Sequence, residues 1–106
     1  RDDQPIWTKL RDEMPARYLG EAKVNNALIA DGCVIEGNVE NSILFRGVHV
    51  RPGATVKNSI IMQDAVIHRG AELENCILDK QTTIREKVRL IAPYAYPIVV
   101  AKNLTI

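Results

Sequence analysis

Val56-Lys57-Asn58-Ser59-Ile60-Ile61, answered by Leu73-Glu74-Asn75-Cys76-Ile77-Leu78, is the pair of segments on which the reading of this chain turns. The same pattern stands upstream at Val39-Glu40-Asn41-Ser42-Ile43-Leu44 and Val24-Asn25-Asn26-Ala27-Leu28-Ile29. The four starting residues lie 15, 17 and 17 positions apart. A repeat of this length marks a solenoid, in which units stack because none can bury its apolar face alone.

A finer step divides each unit. Leu44, Val50, Val56, Ile61, Ile67, Leu73, Leu78 and Ile84 follow one another at intervals of five or six, so three short strands make one coil. Two positions before each stands a small or compact residue: Ser42, Val48, Ala54, Ser59, Ala65, Ala71, Cys76 and Thr82. In a triangular prism the long aliphatic side chains fill the interior, and each corner leaves room only for a small one. Alternation along the strands then turns Arg51, Lys57, His68, Glu74, Asp79 and Arg85 outward. The shorter steps fall at Asn26, Asn41, Asn58 and Asn75, and asparagine tolerates the left-handed backbone of a tight corner. The column Gly32, Gly47, Asp64, Gln81 loses its glycine toward the C terminus, which predicts a less regular coil there. The coil is placed at residues 21–87, about four turns, between an extended arm at 1–20 and a cap or return strand at 88–106.

At 106 residues, with aromatic residues at 5% and Val and Ile at short intervals, the chain suits one all-β domain. Fourteen basic residues against thirteen acidic ones provide no global field for nucleic acid or an anionic membrane, so any anion site must be local. The charged opening Arg1-Asp2-Asp3-Gln4-Pro5 does not suit a signal peptide, and no apolar run is long enough to span a bilayer. A cytoplasmic setting is expected, and so abrupt an opening suggests a fragment. Cys33 and Cys76 stand in no metal-binding spacing and are expected as two reduced, packed thiols.

Four stretches, Pro5-Ile6-Trp7-Thr8-Lys9, Leu28-Ile29-Ala30-Asp31-Gly32-Cys33-Val34-Ile35-Glu36-Gly37, Ser42-Ile43-Leu44-Phe45-Arg46-Gly47-Val48 and Asn58-Ser59-Ile60-Ile61-Met62, carry a more specific signal. Together they resemble the C-terminal domain of bacterial ADP-glucose pyrophosphorylases, most closely the GlgD-type subunit of glycogen biosynthesis. Parallel strands are normally joined by right-handed crossovers, and the repeat spacing does not set the hand. The resemblance implies a left-handed parallel β-helix built from hexapeptide repeats. It also implies a separate nucleotidyltransferase domain that makes ADP-glucose from glucose-1-phosphate and ATP with Mg2+, while the β-helix supports tetramer assembly and effector response. No glycine-rich nucleotide loop is present, since the six glycines are scattered as turn residues. The expectation is a regulatory and oligomerisation domain without catalytic residues, metal or cofactor of its own. Its partners would be copies of itself or a catalytic pyrophosphorylase subunit, together with a phosphorylated metabolite.

Two basic columns are candidates for effector binding: Arg51, His68 and Arg85 in one, Arg46 and Lys80 with Gln63 in another. Asp31 precedes Arg46 and Glu36 precedes Arg51 in the same columns, so surface ion-pair ladders compete with this reading. Trp7, Phe45 and Met62 are candidates for contact between chains, Phe45 and Met62 sharing an outward column with Ala30 and Asp79. A hexapeptide acyltransferase would need a general-base histidine, and both His49 and His68 fall on the surface. A β-helix metalloenzyme of the γ-carbonic-anhydrase kind would need three histidine ligands where two exist. A bare assembly scaffold is the remaining alternative.

The register places Ala65 at an inward corner among Val50, Val56, Ile61, Ile67 and Leu73. Overpacking such a site costs about 1–3 kcal/mol. Ala65→Leu should therefore lower the melting temperature by roughly 5 °C or more in a domain of this size; an unchanged melting curve would reject the register.

Overall fold

The computed structural model describes residues 14–106, which contain fifteen strands and no helix. In chain order the strands are β1 (Arg17–Tyr18), β2 (Lys23–Asn25), β3 (Leu28–Ile29), β4 (Val34–Ile35), β5 (Asn38–Glu40), β6 (Ile43–Leu44), β7 (His49–Val50) and β8 (Thr55–Lys57). They continue as β9 (Ile60–Ile61), β10 (Val66–Ile67), β11 (Glu72–Glu74), β12 (Cys76–Leu78), β13 (Thr83–Ile84), β14 (Arg89–Ile91) and β15 (Ile98–Val100). Every third strand pairs in parallel, giving three five-stranded walls. The first wall is β1-β4-β7-β10-β13, the second β2-β5-β8-β11-β14 and the third β3-β6-β9-β12-β15. The chain thus makes about four turns of a three-sided parallel β-helix between β1 and β13.

The repeat dictates the register. Val39, Val56, Leu73 and Leu90 stack in the second wall, and Leu44, Ile61, Leu78 and Val100 in the third. Ile35, Val50, Ile67 and Ile84 stack in the first. All eight small residues two positions before the aliphatic ones are buried, from Ser42 to Thr82, and all eight aliphatic ones are too. The serine column does more than fit. Ser42 Oγ donates to the Glu40 carbonyl and accepts the Ser59 amide, and Ser59 Oγ repeats this with Lys57 and Cys76. A buried hydroxyl is thereby satisfied without leaving the corner.

The corners explain the irregular first period. Between Val50 and Val56 the chain spends a two-residue turn that the passage from Ile35 to Val39 lacks, which is why the first interval is 15 and not 17. Gly37 closes this short corner, and a Cβ placed on it would lie 2.4 Å from the Ala54 carbonyl oxygen. The asparagine corners behave as anticipated, with φ of 54°, 51°, 49° and 59° at Asn26, Asn41, Asn58 and Asn75. Asn26 Nδ2 donates to Asn41 Oδ1, and Asn75 Nδ2 to the Ala92 carbonyl.

Two expectations are corrected. The column that loses its glycine does not become irregular: Asp64 and Gln81 hold φ of 62° and 58°, matching Gly32 and Gly47. The interstrand ladder imposes the corner on whatever residue occupies it, and the Asp64 carboxylate fills the space that a Cβ on Gly47 would need. Nor does the coil stop at 87. β14 and β15 pair in parallel with β11 and β12, and 104–106 lie along β13, where Thr105 bridges Thr83. An inserted loop at 92–97 breaks the spacing but not the stacking. At the other end Arg17–Tyr18 pair with β4 as a strand of the first wall. Trp7 and the rest of 1–13 lie outside the described residues.

Two substitutions test the corners in opposite directions. Gly37→Ala forces a side chain against rigid backbone and should cost about 1–3 kcal/mol. Gln81→Gly removes the steric cost of a left-handed backbone, about 1 kcal/mol, and should raise the melting temperature in the same assay. A neutral Gly37→Ala would contradict the short corner.

Candidate functional site

The walls differ in what they present outward. The first wall carries the column Leu19, Glu36, Arg51, His68, Arg85, whose amides each bond to the coil that follows. This is the anticipated basic stripe, with His68 between two arginines and an acid above them. Glu36 Oε1 accepts from His49 Nε2 at 2.9 Å and lies 3.6 Å from Arg51 Nε, which is buried and makes no hydrogen bond. His49 itself sits in the neighbouring column with Val34, Val66 and Thr83. The Glu36–His49 contact is therefore a diagonal one between adjacent strands, which a column-by-column reading passes over although long side chains reach that far. Its partners are a quarter to a third exposed, so the pair contributes under about 1 kcal/mol.

The second candidate column, Asp31, Arg46, Gln63, Lys80, runs along the corner between the third and first walls, with ladder bonds from Gly47 to Asp31 and from Asp64 to Arg46. The five candidate residues thus form two stripes, one on the first wall and one along the corner at its edge, roughly 15 Å apart by strand rise, and do not converge on one point. A groove of about 440 Å³ opens at this corner, lined by Arg17 and Arg46 but also by Asp31 and Asp64. Two guanidiniums against two carboxylates leave it without the excess positive charge a phosphate needs. The Arg51-His68-Arg85 stripe has that excess below its first rung.

The second wall shows the charge alternation Glu40, Lys57, Glu74 across consecutive strands, and Arg89 Nε donates to Glu72 Oε1 at 3.2 Å. The third wall is apolar, with Leu28, Ile43, Ile60, Ile77 and Val99 in one outward column. Ala30, Phe45, Met62 and Asp79 form the other, as the spacing anticipates. Cys33 and Cys76 are free and buried. No helix among the described residues is long and apolar enough to cross a membrane.

The family model described as GlmU-like, C-terminal hexapeptide, matches residues 14–91, which is most of the coil. The chain belongs to that family. Its hexapeptide repeats give the β-helix a left hand, as the resemblance of the residues implied. This hexapeptide domain is 52% identical over 95% of its length to glycogen biosynthesis protein GlgD of Bacillus subtilis, of which it spans 29%. It is also 54% identical over 40% of its length to a glucose-1-phosphate adenylyltransferase of Clostridium beijerinckii, spanning 11% of that protein. A solved acetyltransferase domain of PglB from Neisseria gonorrhoeae superposes with a TM-score of 0.63 at 18% identity, over 94% of this chain and 61% of that one. That likeness is one of fold.

Burial pushes both thiols up from their ordinary value of 9.0; at Cys33 backbone hydrogen bonds oppose the effect in part. A folded state that holds a proton more tightly than the unfolded chain is stabilised fully below about pH 9, and loses that stability as pH rises through the raised folded values. Melting curves should show a decline above about pH 9 that shrinks when Cys33→Ala and Cys76→Ser are combined, replacements of kinds their own columns already hold. An identical decline in the double variant would locate the effect elsewhere.

Proposed function

We propose that this chain is the β-helix domain of a subunit of the ADP-glucose pyrophosphorylase system of glycogen biosynthesis, serving subunit assembly and effector response rather than catalysis. The observation that carries this reading is the 52% identity to GlgD, which extends over 101 residues and so includes every coil described. The chain spans under a third of that relative. In this reading nucleotidyl transfer, and the magnesium it uses, belong to the remainder of the parent protein. Among the described residues no group of three carboxylates, histidines or cysteines stands ready for a metal.

The chemistry of the coil supports a binding role. Arg51, His68 and Arg85 bring like groups onto adjacent strands, where their repulsion favours an anionic partner. Glu36 offsets the first of them, which leaves His68 and Arg85 as the better end for a phosphorylated metabolite. Arg46 and Lys80, beside two aspartates, suit a contact with another protein chain instead. The setting proposed is cytoplasmic, where a sugar-nucleotide substrate is made and thiols stay reduced.

Alone, the chain mixed with ADP-glucose, pyrophosphate and magnesium should form no ATP. A sugar bisphosphate or phosphoglycerate at low salt should raise its melting temperature by a few degrees, as ligand in large excess over its dissociation constant does. Arg51→Ala with Arg85→Ala should remove the rise, while Lys57→Ala on the second wall should keep it. Turnover above a blank would overturn the non-catalytic reading, and equal shifts in all three proteins would return the stripe to ordinary solvated surface.

A further inference from the structure

The acid at the head of the basic stripe is held by two neighbours in two different ways. Glu36 and Arg51 are outward neighbours on adjacent coils, because Ile35 pairs with Val50. His49 stands two residues before Arg51 and faces the same way. A carboxylate only accepts hydrogen bonds, so His49 Nε2 is the donor to Glu36 Oε1 at 2.9 Å. That same oxygen lies 3.6 Å from Arg51 Nε, too far for a hydrogen bond. Arg51 Nε is buried and unsatisfied. Glu36 therefore answers the guanidinium by charge alone, while its hydrogen bond goes to His49.

Resting on the effector reading of this stripe, we infer that Glu36 is a specificity-determining residue, an internal anion that withholds Arg51 and confines a ligand to His68 and Arg85. The stripe then takes one phosphoryl group, and a ligand that carries further linked ones gains nothing from them. Register supports this. His68 lies level with Arg51 on one side and Arg85 on the other, since Ile67 pairs with both Val50 and Ile84, and successive coils stand about 4.8 Å apart. A phosphoryl group bridging His68 and Arg85 fills one such interval. A second group on the same ligand would fall level with Arg51, where the Glu36 carboxylate meets it as a like charge. Glu86, the acid next to Arg85, stands at the following corner with Arg69 and Lys87, so Glu36 is the acid of this column.

Titration calorimetry of the whole chain at low salt, with inorganic phosphate and with tripolyphosphate as probes, tests the assignment. The parent should bind the two within about threefold of each other, since both use the same pair of donors. Glu36→Gln keeps the shape of the side chain and an acceptor for His49 but removes the charge. It should tighten tripolyphosphate about tenfold, as a new charge-assisted hydrogen bond to Arg51 does, and phosphate much less. In an Arg51→Ala background the same replacement should give no selective gain, because no guanidinium is left to release. Glu40→Gln removes an acid from the second wall and should leave the ratio of the two affinities as in the parent. Equal tightening of both probes by Glu36→Gln, or a selective gain that survives Arg51→Ala, would overturn the inference and leave the effector reading standing. Failure of the parent and of Glu36→Gln to bind either probe would sink both.

Discussion

The corner is the constraint on which this fold depends. A chain that must turn three times in 17 residues and return in register has room at the turn only for a small or compact side chain, none larger than the valine at Val48. Ala54, Ala65, Ala71, Ser59 and Cys76 meet that limit, and all are buried. Where the turn is shortest, even a methyl is excluded and Gly37 stands there. Once the corners close, the amide of one coil meets the carbonyl of the next along every wall, and the long aliphatic side chains have no direction but inward.

Fixing the interior fixes the exterior. A period of two along each strand means that a residue pointing out on one rung points out on every rung, so the surface becomes a set of columns. The three walls use this differently. The second alternates charge and neutralises itself, the first gathers Arg51, His68 and Arg85, and the third is apolar except at Asp79. A solenoid offers flat, repetitive surfaces on which each column of side chains can be read from the spacing.

Backbone stacking also proves stronger than local preference. Gln81 and Lys87 are not residues that favour a left-handed backbone, yet both adopt it, with φ of 58° and 63°. Each sits below a residue already turned that way, and matching it preserves the ladder bonds from Gln81 to Gln63 and from Lys87 to Arg69. The cost is local and about 1–2 kcal/mol per residue, while losing the corner would unstack every strand beyond it.

The sequence by itself determined the coil, its three-strand step, the inward and outward sets, the asparagine corners and the membership of each column, because a repeat with a strict period leaves one consistent way to bury its aliphatic residues. It carried the basic stripe and the Phe45–Met62 column for the same reason. Only the tertiary structure decided where the coil ends, since the loop at 92–97 destroys the spacing while β15 still finds β12 through the backbone. It alone paired Glu36 with His49, a diagonal contact set by side-chain reach rather than by period. Column membership is a one-dimensional property that spacing encodes; distance across a wall is a three-dimensional one that appears only when the prism closes.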